Sequence, residues 1–179
     1  MFEIKVFGYE EARDCYISGW PTKIISLIKP DMPDWGKNHL KLQFDDISYS
    51  RDGYIAPSSW HVNRILEFSK DFVDTDKVLV HCQAGISRST AAAIGILIQH
   101  GMSYEYAYNK IENIRPILLP NKLMVSFIDD YFNLEGKFNE FISNIRISRM
   151  HQNSNGLILS TDPKYIRGYL GDIKWRKNI

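Results

Sequence analysis

Cysteine is almost missing from this chain, with two in 179 residues. Two thiols cannot build a disulfide framework, so a reducing, cytoplasmic setting is expected. No apolar run approaches the roughly 20 residues needed to cross a bilayer, so no membrane span is expected. The opening stretch, MFEIKVFGYEEARD, carries acids and no apolar h-region, which argues against a standard signal peptide. Charge of one sign is also lacking. A formal net charge of +1 offers no general attraction to nucleic acid. His39, His61, His100 and His151 show no metal-ligand spacing and there is no Cys/His cluster, so neither a metal nor a cofactor is expected. Repeats and low-complexity tracts are absent too.

What is present suits one folded domain. A hydrophobic share of 44% is enough for a core, and 13% aromatics argue against disorder. Charge is uneven along the chain. Residues 141–179 hold seven Lys and Arg against two Asp, leaving the first 140 residues net acidic. The organisation expected is a domain over 1–140 and a basic C-terminal extension over 141–179, partly helical or packed on the domain.

Strand patterns fall at FEIKVFG (2–8), KIISLI (23–28), HLKLQF (39–44) and KVLVHC (77–82), the last a continuous apolar run suited to a strand buried on both faces. Helical patterns follow Ser58 or Ser59, run from Ser87 to Gly101, start again at Ser103, follow Pro120, and resume after Gly136. HQNSNG (151–156) reads as a linker or turn, and Tyr165, Tyr169, Leu170 and Trp175 beyond it are apolar enough to pack. Strands alternating with helices predict an α/β fold with a central, mainly parallel (mixed) sheet flanked by helices.

The stretch HCQAGISRST (81–90) carries the chemistry. A buried strand ends at His81-Cys82 and a helix begins near Ser87. The residues between are small, and Gly85 can take a positive φ. Such a turn can aim the backbone N–H groups of Gln83, Ala84, Gly85, Ile86, Ser87 and Arg88 inward as an anion nest, backed by the helix N-terminus. The Arg88 guanidinium can fork two phosphate oxygens. A helix N-terminus and a neighbouring cation favour the thiolate of Cys82, which would sit beneath a cradled phosphoryl group as an in-line nucleophile. Ser89 can donate a hydrogen bond to the departing sulfur, and the His81 imidazole can hold the turn from behind.

HCQAGISRST resembles the signature loop of cysteine-dependent protein tyrosine phosphatases, in their compact dual-specificity-like branch. Downstream, RPILLPNKLMVSFIDDYF resembles that branch in its Arg-Pro, short spacer and Pro-Asn leading into a last core helix. LKLQFDDIS and APSSWHVNRILEFSKDF look like the small bacterial members. The likeness covers roughly residues 20–140 and not the basic C-terminal part. It implies a phosphatase that acts through a phosphocysteine on phosphotyrosine proteins, or on phosphoserine and phosphothreonine as well. A phosphopeptide-binding pseudophosphatase, a phosphoinositide phosphatase and rhodanese-like sulfur transfer are the alternatives.

The resemblance also implies a general acid on a loop after a strand. Aligning the strand end puts Asp46 there, 36 residues before Cys82. Asp45 and Asp52 are the other candidates, and adjacent aspartates are also ordinary loop chemistry. Asn121 matches the family's Pro-Asn and is expected to steady the signature loop, to cap the following helix, or both. Arg115 is expected to be an ion-pair residue rather than a second phosphate ligand. Cys15 is expected to be a buried thiol, with a disulfide to Cys82 as the lesser alternative.

Overall fold

A computed structural model describes residues 1–28 and 32–154, with no side-chain description beyond Arg149. Four strands, β1 (Glu3–Phe7), β2 (Lys23–Leu27), β3 (His39–Leu42) and β4 (Lys77–His81), form one sheet in the order β1-β4-β2-β3. Every pairing is parallel, so among the described residues the sheet has no antiparallel member. β4 lies inside, which explains its unbroken apolar run. Val78 and Val80 face one side and Leu79 the other, all fully buried.

The helices are α1 (Tyr9–Ile17), α2 (Ser59–Ser69), α3 (Arg88–Gln99), α4 (Tyr104–Ile114), α5 (Lys122–Tyr131) and α6 (Lys137–Ser154). The larger core sits between the sheet and α2–α5 and includes Ile25, Leu27, Val62, Leu66, Ile94 and Ile128. The smaller one holds Ala12 and Cys15 of α1 against Ile24, Leu79 and Trp35. α3 runs through the centre, buried from Arg88 to Leu97. Gly95 lets α5 approach it closely, since a Cβ there would stand 2.9 Å from Ile128 Cδ1.

Two departures from the sequence reading matter for the site. α1 is not marked by the sequence pattern, because only Ala12 and Cys15 of its nine residues are buried and they make no clear stripe. α6 continues through 151–154, where the sequence reads as a linker or turn. It is anchored by Phe138 and Ile142 in the core, and its first turn is capped by buried Asp129, which accepts from the amides of Phe138 and Asn139. The aromatic residues at 165, 169 and 175 lie outside the described residues. No described helix is long and apolar enough to cross a membrane.

Parallel strands bring all their C-terminal ends to one edge. Gly8 after β1, the Asp45-Asp46 loop after β3 and the turn after β4 therefore gather at the same rim, where ligands of open α/β sheets bind.

Candidate active site

The turn from Cys82 to Arg88 is shaped by what its carbonyls do. Gln83 O accepts from the Tyr9 amide at 3.1 Å. Ala84 O accepts from Arg115 Nη2 at 3.0 Å and Gly85 O from Arg115 Nε at 3.1 Å. Ile86 O accepts from the Leu119 amide and the Thr90 hydroxyl. Ser87 O accepts from the Asn121 amide at 3.2 Å and from Ala91 at the start of α3. Five successive carbonyls are thus tied to groups outside the turn, and the Gly85 amide points to Cys82 Sγ, an arrangement compatible with an anion nest.

Gly85 is needed for two reasons. Its φ is 72°, in the left-handed region. A Cβ there would also run into the Gly8 nitrogen and stand 2.5 Å from the Phe7 carbonyl carbon, both backbone atoms.

Cys82 lies at the base, 1% exposed. Its Sγ accepts from the Gly85 amide at 3.2 Å and lies 3.2 Å from Ser89 Oγ. Arg88 is buried. Its Nη1 donates to Phe44 O at 2.7 Å, while Nε makes no hydrogen bond among the described residues and sits 3.9 Å from Asp46 Oδ2. One edge of the guanidinium is thus anchored and the other faces the site.

The two aspartates part company. Asp45 Oδ2 accepts from the Ile55 amide at 2.9 Å and its own amide donates to Ile55 O, closing the base of the loop that follows. Asp46 reaches the signature turn. Its Oδ1 accepts from Ser87 Oγ at 2.7 Å and Asn121 Nδ2 at 2.8 Å, and its side chain keeps 37% exposure. Asp52 stands in an exposed turn. Asn121 lies between the turn and α5 and bonds to both. Its Oδ1 caps α5 through the Leu123 and Met124 amides, and its backbone amide holds Ser87 O. Its side-chain amide ties the acid loop, through Asp46 and Ile47 O, to the turn.

Arg115 is the ion-pair residue the sequence suggested, with a specific task. While two of its nitrogens hold the turn, Nη1 is clamped by both carboxylate oxygens of Glu11 at 3.0 and 2.9 Å. Cys15 is a free, buried thiol in the smaller core, and burial pushes its pKa up. His81 is fully buried behind Cys82, with Nε2 2.6 Å from Ser26 Oγ. Burial pulls its pKa down to about 4. No group of His, Cys, Asp and Glu among the described residues could hold a metal ion.

Three contributions were invisible in the sequence. Gly8 and Tyr9 abut the turn, and Glu11 sets Arg115. From the far end, Arg146 Nη2 of α6 donates to Pro120 O at 2.5 Å and Arg149 Nη1 to Leu118 O at 2.7 Å, bracing the segment that carries Asn121. Arg149 also pairs with Glu112. Burial lowers the pKa of Arg146, and the charge of Asp46 opposes that shift, which puts this arginine within electrostatic reach of the acid loop. The only sequence signal for it was the basic bias after residue 140.

Comparison with known proteins bears on the family and the fold. The chain is 29% identical over 119 residues to the 123R protein of Invertebrate iridescent virus 6, which is described as a tyrosine phosphatase, covering 56% of this chain and 84% of that one. It is 33% identical over 88 residues to the phosphatidylglycerophosphate phosphatase PTPMT1 of Arabidopsis thaliana, covering 48% of this chain and 26% of that longer protein. The fold matches the Yvh1 phosphatase domain from Chaetomium thermophilum with a TM-score of 0.56 at 23% identity, over 75% of this chain and 93% of that domain. Residues 34–134, more than half of the chain, match the family model of the dual specificity phosphatase catalytic domain, and the chain belongs to that family.

Proposed function

We propose that this protein is a cysteine-dependent protein tyrosine phosphatase, or a dual-specificity one, that works through a phosphocysteine without a metal or cofactor. The observation that carries the reading is the pairing of Cys82 Sγ with the outward-tied turn above it.

In the first step Cys82 Sγ attacks phosphorus and the ester P–O bond breaks. Asp46 gives its proton to the leaving oxygen. The amides of Gln83 to Arg88 and the free edge of the Arg88 guanidinium stabilise the charge on the transferring group. In the second step water attacks the phosphocysteine, Asp46 takes a proton from it, and the S–P bond breaks. Ser89 donates a hydrogen bond to the departing thiolate. His81 and Asn121 hold the turn and the acid in place. A free thiol nucleophile suits a reducing, cytoplasmic compartment.

Cys82→Ser should abolish hydrolysis of p-nitrophenyl phosphate while leaving tungstate bound. Turnover in that variant would end this reading, and a wild-type protein that binds a phosphotyrosine peptide without hydrolysing it would make the fold a binding module. The turn interior, Gln83 to Ser87, has no Lys or Arg, which favours a singly phosphorylated protein side chain over a polyphosphorylated inositol. The likeness to PTPMT1 supports a lipid phosphate as the second reading. Turnover of a phosphotyrosine peptide, a phosphothreonine peptide and a phosphoinositide at equal concentration separates the substrates.

A further inference from the structure

Behind the signature turn runs a chain of buried polar groups of which the proposed function uses only His81. His81 ends β4, Ser26 pairs with it on β2, and His39 opens β3. The His81 and His39 side chains are fully buried and Ser26 is 2% exposed. Ser26 Oγ lies 2.6 Å from His81 Nε2 and 2.6 Å from His39 Nε2. The Trp35 amide donates to His39 Nδ1 at 3.0 Å. The Trp35 ring covers both imidazoles, at 5.6 Å from His39 and 5.2 Å from His81.

The direction of this chain can be worked out. Asp34 Oδ1 also faces His39 Nδ1 but stands 3.7 Å away, beyond hydrogen-bond range, whereas the Trp35 amide is within it and can only donate, so His39 Nδ1 is an acceptor. Burial holds His39 and His81 down to about 4, so both are neutral near pH 7. Neutral His39 then carries its proton on Nε2 and donates it to Ser26 Oγ. The one hydroxyl hydrogen of Ser26 is left for His81 Nε2. His81 must therefore carry its proton on Nδ1, a buried nitrogen beside the Cys82 backbone that makes no hydrogen bond among the described residues.

We propose that Ser26 and His39 are positioning residues for the nucleophile. The relay from the Trp35 amide through His39 and Ser26 sets the tautomer and ring orientation of His81, the residue that leads directly into Cys82 at the base of the turn. Two imidazoles and a hydroxyl inside a parallel sheet carry a burial cost that valine or isoleucine there would not. The role rests on the reading of Cys82 as the nucleophile. It makes the strand order part of the site, since β4, β2 and β3 must be neighbours for the relay to close.

The tautomers are directly readable in the full chain by ¹⁵N NMR of the histidine rings. His39 is expected to be protonated at Nε2 and His81 at Nδ1. Ser26→Ala should release the His81 tautomer and weaken both tungstate affinity and kcat/KM for p-nitrophenyl phosphate by about tenfold, the scale of one lost buried hydrogen bond. Ser26→Thr, which keeps the hydroxyl, should recover the wild-type tautomer and stay within about twofold of wild type. His39→Gln keeps a donor toward Ser26 and should resemble it, while His39→Phe, which only stacks on Trp35, should resemble Ser26→Ala. His81 protonated at Nε2 in the wild-type protein overturns the proposal whether or not any variant folds. So does wild-type tungstate affinity in both Ser26→Ala and His39→Phe. If the tautomers and tungstate affinities follow expectation but the wild type turns over no phosphate ester, the relay stands and the phosphatase reading falls.

Discussion

The signature turn and the acid loop meet at Asp46, yet they are held in opposite ways. From Gln83 to Ser87 every carbonyl of the turn is tied to a group outside it, and Cys82, Arg88 and Ser89 are buried. The acid loop closes at its base through Asp45 and Ile55, and every residue from Ser48 to Ile55 is exposed. Its carboxylate touches the turn through the hydroxyl of Ser87 and the amide of Asn121. A phosphoryl cradle works by being fixed in advance, because its N–H groups must already point where charge develops. An acid must approach the leaving group, give up a proton and retrieve one from water, which a less constrained loop allows.

The sharpest way to break the contrast is to place the same substitution in both loops. Gly85→Ala puts a Cβ into the Gly8 and Phe7 backbone at a φ of 72°. Loss of tungstate binding, a fall of more than about a hundredfold in kcat/KM, and a stability loss of about 2–4 kcal/mol in urea unfolding are expected. Gly53→Ala in the acid loop has the same sign of φ but nothing within 4 Å of the new Cβ. It should cost about 1 kcal/mol and little activity.

Next in size is Asp46, the proposed acid. Asp46→Asn should lower kcat by about two to three orders of magnitude, more for an alkyl than for an aryl phosphate. Asp45→Asn only weakens the loop base and should stay within about tenfold. Steady-state kinetics on both substrates decides, and equal losses would remove the division between the two aspartates.

The clamp on the turn comes third. Arg115→Lys cannot hold two carbonyls and a carboxylate in one plane. About tenfold weaker tungstate binding is expected, with about 1–3 kcal/mol lost in stability. Matching tungstate affinities by calorimetry would show that the turn holds its shape without the fork.

The smallest effect is on pH dependence. His39 and His81 fall to about 4 in the folded chain against 6.5 for the ordinary side chain. Between those values the unfolded chain binds the additional protons, so the contribution to stability is full above pH 6.5 and is lost as pH falls toward 4. Tm should drop over that window, and His39→Phe should flatten the slope. An equal slope in the variant would mean that the acids elsewhere dominate.

Much of this contrast is legible in the amino-acid sequence. Apolar runs mark the four strand windows, and the Ala-rich stretch between the turn and Gly101 marks the central helix. Cys82, Arg88 and Ser89 are close in sequence, so local geometry alone brings them together. The preference for Asp46 over Asp45 comes from the family resemblance aligned on the end of β3, and only the tertiary structure shows that Asp46 bonds to the turn while Asp45 bonds to the base of its own loop. α1 escapes the sequence pattern because its stability comes from Trp35 on one side and the Glu11–Arg115 pair on the other, not from its own periodicity. Arg146 escapes it because its partner carbonyl lies 26 positions away.

The sequence by itself determined the candidate nucleophile Cys82, the Arg88 guanidinium and the turn that joins them, because they lie within ten residues of one another. Tertiary structure alone decided what holds that turn in shape. Glu11 reaches Arg115, Asn121 reaches Asp46, and Ser26 links two histidines across three strands only because the sheet order is β1-β4-β2-β3. A local motif can specify reactive groups. The bonds that fix their directions come from segments that chain folding, not chain distance, makes neighbours.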